Sequence, residues 1–98
     1  MYGLMSRIKA VAGKRAELAA VLVQEDGSMP GCLSYVVAED PADADALWVT
    51  EVWVDQAAHR ASLQLPAVQA AITKGRPLIA GFDNRVETKV LGGIGLKG

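Results

Sequence analysis

Two stretches of this chain, "CLSYVVAE" at 32–39 and "LWVTEVWV" at 47–54, read as β-strands that are apolar on both faces. In the first, Leu33, Tyr35 and Val37 lie on one side and Cys32, Val36 and Ala38 on the other. In the second, Trp48 and Val52 oppose Val49 and Trp53. Strands of this kind are buried on both faces. The polar turn "EDPADADA" between them makes the pair a hairpin. Whatever layer covers one face, a second must cover the other.

The rest of the chain supplies only one such layer. Tyr2 to Ala10 alternates as a first strand, with Leu4, Ser6 and Ile8 on one face. Gly13 opens a helix through about Gln24, with Ala16, Ala19 and Val23 along one stripe. After the hairpin, Asp55 is placed to cap a short helix through Leu63. Pro66 suits the first turn of another helix, which Gly75 closes and Pro77 stops. "PLIAGF" reads as an apolar connector, "NRVETKVL" as a fourth strand and "GGIGLKG" as a tail. The order β-α-β-β-α-β, with the second helix in two pieces, predicts a ferredoxin-like α+β fold: an antiparallel sheet with its helices on one face. Residues 1–98 are expected to form a single domain. Apolar residues make up 51% of the chain, more than a lone domain of this size hides easily. The open sheet face is therefore expected to meet a second copy.

A net charge of −1 and the absence of a basic face or Lys/Arg run speak against nucleic acid as a partner. No apolar run approaches the roughly 20 residues of a membrane span. The N-terminus meets charge too early for a signal peptide. The lone Cys32 has no partner for an intrachain disulfide. Together these readings predict a cytoplasmic protein.

His59, the only histidine, falls about one turn into its helix, near the end of the sheet, with Leu63 on the same face. It is either a base in a pocket between sheet and helix, or a packed side chain. Glu51 and Trp53 point the same way from the third strand. A carboxylate in an apolar strand either lines a cavity or pairs with Arg7 or Arg85. Trp53 is either a flat wall for an aromatic ligand or core. Tyr35 either bonds a ligand or keeps its hydroxyl at the rim, and Cys32 reads as a small buried apolar side chain. "EDPADADA" lacks the spacing of a calcium loop and reads as a solvated turn. With one histidine and no Cys or carboxylate cluster, the residues predict no zinc site. No helix follows "GGIGLKG" to hold an anion.

In order and spacing, "AGK" at 12–14, "MPGCLSY" at 29–35, "EDP" at 39–41, "TEVW" at 50–53, "AAH" at 57–59 and Pro66 resemble the antibiotic biosynthesis monooxygenase family, including its quinol monooxygenase-like members. The resemblance runs from about Tyr2 to Val90. It implies a homodimeric α+β barrel in which two ferredoxin-like sheets face each other. It also implies oxidation of phenolic, quinol or polycyclic aromatic small molecules with O2 as co-substrate and with no metal or flavin. It gives His59 a counterpart in the family. Haem-degrading relatives use an Asn on the first strand and a His ligand before the fourth. Ser6 and Ile72 stand near those positions here, so that branch does not fit.

The expected chemistry is removal of a phenolic proton by His59, with Trp53 as the stacking wall. An imidazole near 6.5 facing a phenol near 10 leaves about 5 kcal/mol uphill, so donors such as Ser6, Tyr35 or a backbone N–H must stabilise the oxyanion. A binding or sensing dimer without turnover, and an isomerase on the same fold, are the rival readings.

Overall fold

In the computed structural model, residues 1–23 and 29–96 are described. They form β1 (Tyr2–Ala10), α1 (Arg15–Leu22), β2 (Cys32–Glu39), β3 (Ala46–Trp53), α2 (Gln56–Ser62), α3 (Pro66–Gly75), a 3-10 turn (Arg76–Leu78) and β4 (Ile79–Lys89). The four strands make one antiparallel sheet in the order β2-β3-β1-β4. This is the ferredoxin-like α+β fold. The boundaries of β1 and β2 coincide with those expected from their alternation. The first helix is shorter than expected, and Gln24 lies outside the described residues.

The register decides which side chains meet. β1 pairs with β3 so that Leu4 faces Glu51, Ser6 faces Val49 and Ile8 faces Leu47. β2 sets Tyr35 opposite Glu51 and Val37 opposite Val49. These residues share the helix-side face, where Ile8, Ala10, Leu18, Leu47 and Val49 form the buried core. The opposite face carries Met5, Val36 and Val86, all exposed in the single chain.

β4 differs from expectation. It begins at Ile79, inside the stretch read as a connector, and ends at Lys89. The register against β1 shifts twice, between Arg7 and Ile8 and between Lys9 and Ala10. Each irregularity breaks the period-2 pattern by which a strand is recognised. "PLIAGF" therefore shows no alternation although Ile79, Gly81 and Phe82 pair with β1.

The hairpin turn also departs from a merely solvated loop. Arg7 bonds Asp40 and Asp43, each at 3.0 Å, and also Asp83; Lys9 bonds Asp43 as well. The Trp48 indole donates to Asp40 at 3.1 Å. The Asp43 carboxyl is held down at about 2, first by the Lys9 ammonium. This network ties the turn to the end of the open sheet face. It also commits Arg7 away from Glu51.

Two local devices set α2 in place. The Asp55 carboxylate accepts a hydrogen bond from the Ala58 N–H at 2.7 Å, the expected N-cap. Gly31 has φ +81, and a Cβ there would sit 2.7 Å from the Ala58 Cβ. Only glycine gives both the left-handed backbone and the room for α2 to approach. Gly13 has a similar φ of +80 but open space around it. Gly31→Ala is therefore expected to lose about 1–3 kcal/mol of stability, and more than Gly13→Ala, when both are measured by denaturant unfolding. Equal losses would show that the approach of α2 is not constrained at Gly31.

Candidate functional site

Between the helix side of the sheet and the helices lies a cavity of about 510 Å³. Leu18, Val21 and Leu22 of α1, Val68, Ala71 and Ile72 of α3, and Ile8, Ile79 and Phe82 of the sheet give it apolar walls. Its polar groups come from Tyr35, Glu51, His59, Ser62 and Arg76. An apolar pocket with a few convergent polar groups suits a small organic ligand.

The polar end is built from three elements. β3 projects Glu51 and Trp53 from the same face, and the Trp53 indole N–H donates to Glu51 Oε1 at 3.1 Å. α2 places His59 one turn past its cap, with Nε2 at 3.9 Å from the same Oε1. That distance is an electrostatic contact and too long for a hydrogen bond. Trp53 meets the imidazole edge-on, at 5.4 Å between ring centroids and 69° between planes. β1 adds Tyr2, whose ring centroid lies 5.7 Å from that of His59. Tyr2 donates to Glu87 at 2.7 Å, and Gln56 donates to the same carboxylate at 3.3 Å. The Ser62 hydroxyl donates to the His59 carbonyl at 2.6 Å, inside α2.

Burial sets the electrostatics of this end. The side chains of His59 and Glu51 are only 13% and 12% exposed. Burial, and then the positive charge of Arg85, lower the His59 pKa, against the opposing charge of Glu87. Burial raises the Glu51 pKa, while the bond from Trp53 and the charge of Arg85 pull it back. Each group is pushed towards its neutral form.

Of the residues singled out in the sequence, Tyr35, Glu51, Trp53 and His59 all line this cavity. Ser6 does not: it is buried on the helix-side face between Leu4 and Ile8, outside the lining. An ion pair of Glu51 with Arg7 does not form, because Arg7 has the opposite parity and lies on the open sheet face, where three aspartates engage it; Arg85 acts on Glu51 only through its charge. Cys32 is half-buried and its thiol, pushed up by burial, donates to the Ser34 carbonyl. Tyr2 and Glu87 escaped sequence reasoning. The signal for both is register: Tyr2 pairs with Trp53 on one side and Lys89 on the other, which brings the chain's start beside His59.

The lowered His59 pKa fixes a sign. As pH falls below about 6.5 the unfolded chain takes up the His59 proton before the folded one, so stability is lost down to the folded value. Glu51 works the other way: the stability from its raised pKa is lost as pH rises from about 4.5. The variant His59→Gln removes the first contribution and leaves the second. It is expected to lose less stability than wild type as pH falls below about 6.5, measured by denaturant unfolding; an unchanged slope would place no buried neutral imidazole here.

A family model described as antibiotic biosynthesis monooxygenase matches residues 1–74. No curated protein matches the chain. Among solved structures, a protein of Chloroflexus aurantiacus named as a candidate antibiotic biosynthesis monooxygenase is 55% identical, with TM-score 0.94 and 98% of each chain covered. One of the same description from Deinococcus radiodurans is 27% identical, with TM-score 0.78 and 100% of each chain covered. A variant of SnoaB, a cofactor-independent oxygenase of Streptomyces nogalater, is 18% identical, with TM-score 0.77 over 95% of each chain; at that identity it shows the fold alone. With its family model spanning three of four strands and the helices around the cavity, the chain belongs to the antibiotic biosynthesis monooxygenase family.

Proposed function

We propose that this protein is a cofactor-independent monooxygenase that oxidises a phenolic or quinol-type aromatic with O2. The observation that carries this reading is the cavity itself: apolar walls, with a largely buried imidazole, a carboxylate and the Trp53 ring gathered at one end. The aromatic lies against Trp53, and His59 takes the phenolic proton. The phenolate is far easier to oxidise than the phenol. One atom of O2 goes to the ring and the other leaves as water, and the substrate supplies all four electrons. SnoaB, described as a cofactor-independent oxygenase, shares the fold.

The uphill proton transfer, about 5 kcal/mol from reference values, is made steeper by the lowered pKa of His59. Oxyanion stabilisation must supply the difference. Ser6 is outside the lining, which leaves Tyr35 and the cations Arg76 and Arg85 near the site. The apolar walls exclude water from a reactive anion.

The functional unit in this reading is a cytoplasmic homodimer joined through the open sheet faces. Met5, Val36 and Val86 are exposed there, and Leu91 and Ile94 beyond β4 are almost fully exposed. Among the described residues no helix is long and apolar enough to cross a membrane. A specific interface of this kind buries more than about 1,000 Å². Sedimentation is expected to give a dimer at micromolar concentration; a well-folded monomer would remove this part of the reading.

The activity is tested with an oxygen electrode, the purified protein and simple hydroquinones. O2 uptake that depends on both is expected. His59→Ala is expected to lower it by roughly 10²-fold, the scale of one positioned proton-transfer group. Conversion of substrate without O2 uptake would point to an isomerase, and binding without conversion to a sensor; either would overturn the reading.

A further inference from the structure

Glu51 has no need to be a carboxylate if the cavity only binds an aromatic. A buried acid on an apolar sheet face is costly unless it is paired or hydrogen-bonded. Its surroundings show how. Oε1 is fixed by the Trp53 indole N–H, and the same oxygen is the atom that faces His59 Nε2. Trp53 in turn meets the imidazole edge-on, so the carboxylate and the ring around it constrain His59 together.

We propose that Glu51 is the positioning residue for His59: its anchored carboxylate keeps Nε2 turned towards itself, leaves Nδ1 to take the proton, and stabilises the imidazolium that results. In the step, the phenolic O–H bond breaks, an Nδ1–H bond forms, and the electron pair stays on the oxygen. Glu51 remains ionised throughout and receives no proton. The 3.9 Å contact closes to a charge-assisted hydrogen bond once the ring is charged. Trp53 thereby acts twice, as a wall of the cavity and as the donor that aims the carboxylate. The inference rests on His59 being the base.

Other charges face the pair. Arg85 and Glu87 of β4 and Arg60 of α2 act on His59, and Arg85 acts on Glu51. Tyr2 of β1 is occupied by Glu87. The Cys32 thiol of β2 feels the charge of Glu51. Tyr35 of β2 lies opposite Glu51 in the register, and Arg76 lines the same cavity.

The chain has a single histidine, so its ring is read without ambiguity by NMR. Glu51→Gln keeps the acceptor for the Trp53 N–H and removes only the charge. It is expected to move the midpoint of the His59 titration down by about one pH unit, the low end of what a neighbouring opposite charge contributes. Glu51→Asp, which disturbs packing but keeps the charge, is expected to retain most of the wild-type midpoint. In the wild-type protein, the Glu51 carboxyl carbon is expected to show an inflection at the His59 midpoint, a readout that needs no variant to fold. An unmoved midpoint in Glu51→Gln, equal shifts in the Gln and Asp variants, or a Glu51 carbon blind to His59 would each overturn the proposal. All three readouts stand without turnover, so they stay informative if no oxygenase activity is found. Where there is turnover, the pH profile of kcat/KM is expected to shift with the midpoint in Glu51→Gln and to recover in Glu51→Asp.

Discussion

The fold depends on β1 lying between β3 and β4 and antiparallel to both. A central strand paired this way has no free edge, and its neighbours in space are distant in sequence. The chain must therefore leave the sheet after β1 and again after β3. It does so through helices, and all of them settle on the same face. The core forms under them, around Leu18, Leu47 and Val49. The other face is left with Met5, Val36 and Val86 in the open. One strand order thus creates both the roofed cavity and the bare sheet face.

The cavity follows from how the roof is assembled. The second crossover is broken into α2 and α3 at Pro66, and two short helices cover a sheet less completely than one long one. α2 is held close to the β3 end by the Asp55 cap and by the Gly31 approach, while α3 packs beside α1. The space between them is floored by β3, and there the pleat presents Glu51 and Trp53. A carboxylate, an indole and an imidazole meet because strand and helix are joined by only two residues, Val54 and Asp55.

Much of this was legible in the sequence, for physical reasons that differ from element to element. β1 and β2 have unbroken alternation, so their limits could be read residue by residue. Asp55 carries its own capping chemistry, and Pro66 and Gly75 punctuate α3 at both ends. The start of β4 is hidden in the sequence because bulges against β1 destroy the pattern that identifies a strand. Strand parity puts Glu51 and Trp53 on one face and helix spacing puts His59 near the end of the sheet, but that the three meet in one cavity comes from the packing of α2 on β3. The partner of Arg7 is equally hidden: its aspartates come from the hairpin turn and from the bulge at Asp83, and nothing in local sequence reports such a contact. Ser6 has the right parity for the helix-side face but lies under core rather than cavity. Parity gives the face and not the depth along it. Tyr2 was invisible for the same reason in reverse, since its place beside His59 is a consequence of register alone.

The central claim is that an aromatic ligand occupies the cavity with His59 and Trp53 at its side. The most direct measurement is of intermolecular nuclear Overhauser effects between the ring protons of a bound hydroquinone and the protein. The account predicts contacts to the imidazole protons of His59 and to the indole of Trp53, with further contacts to Leu18 and Ile72 on the walls. Contacts confined to Met5, Val36 and Val86 on the open sheet face would contradict it.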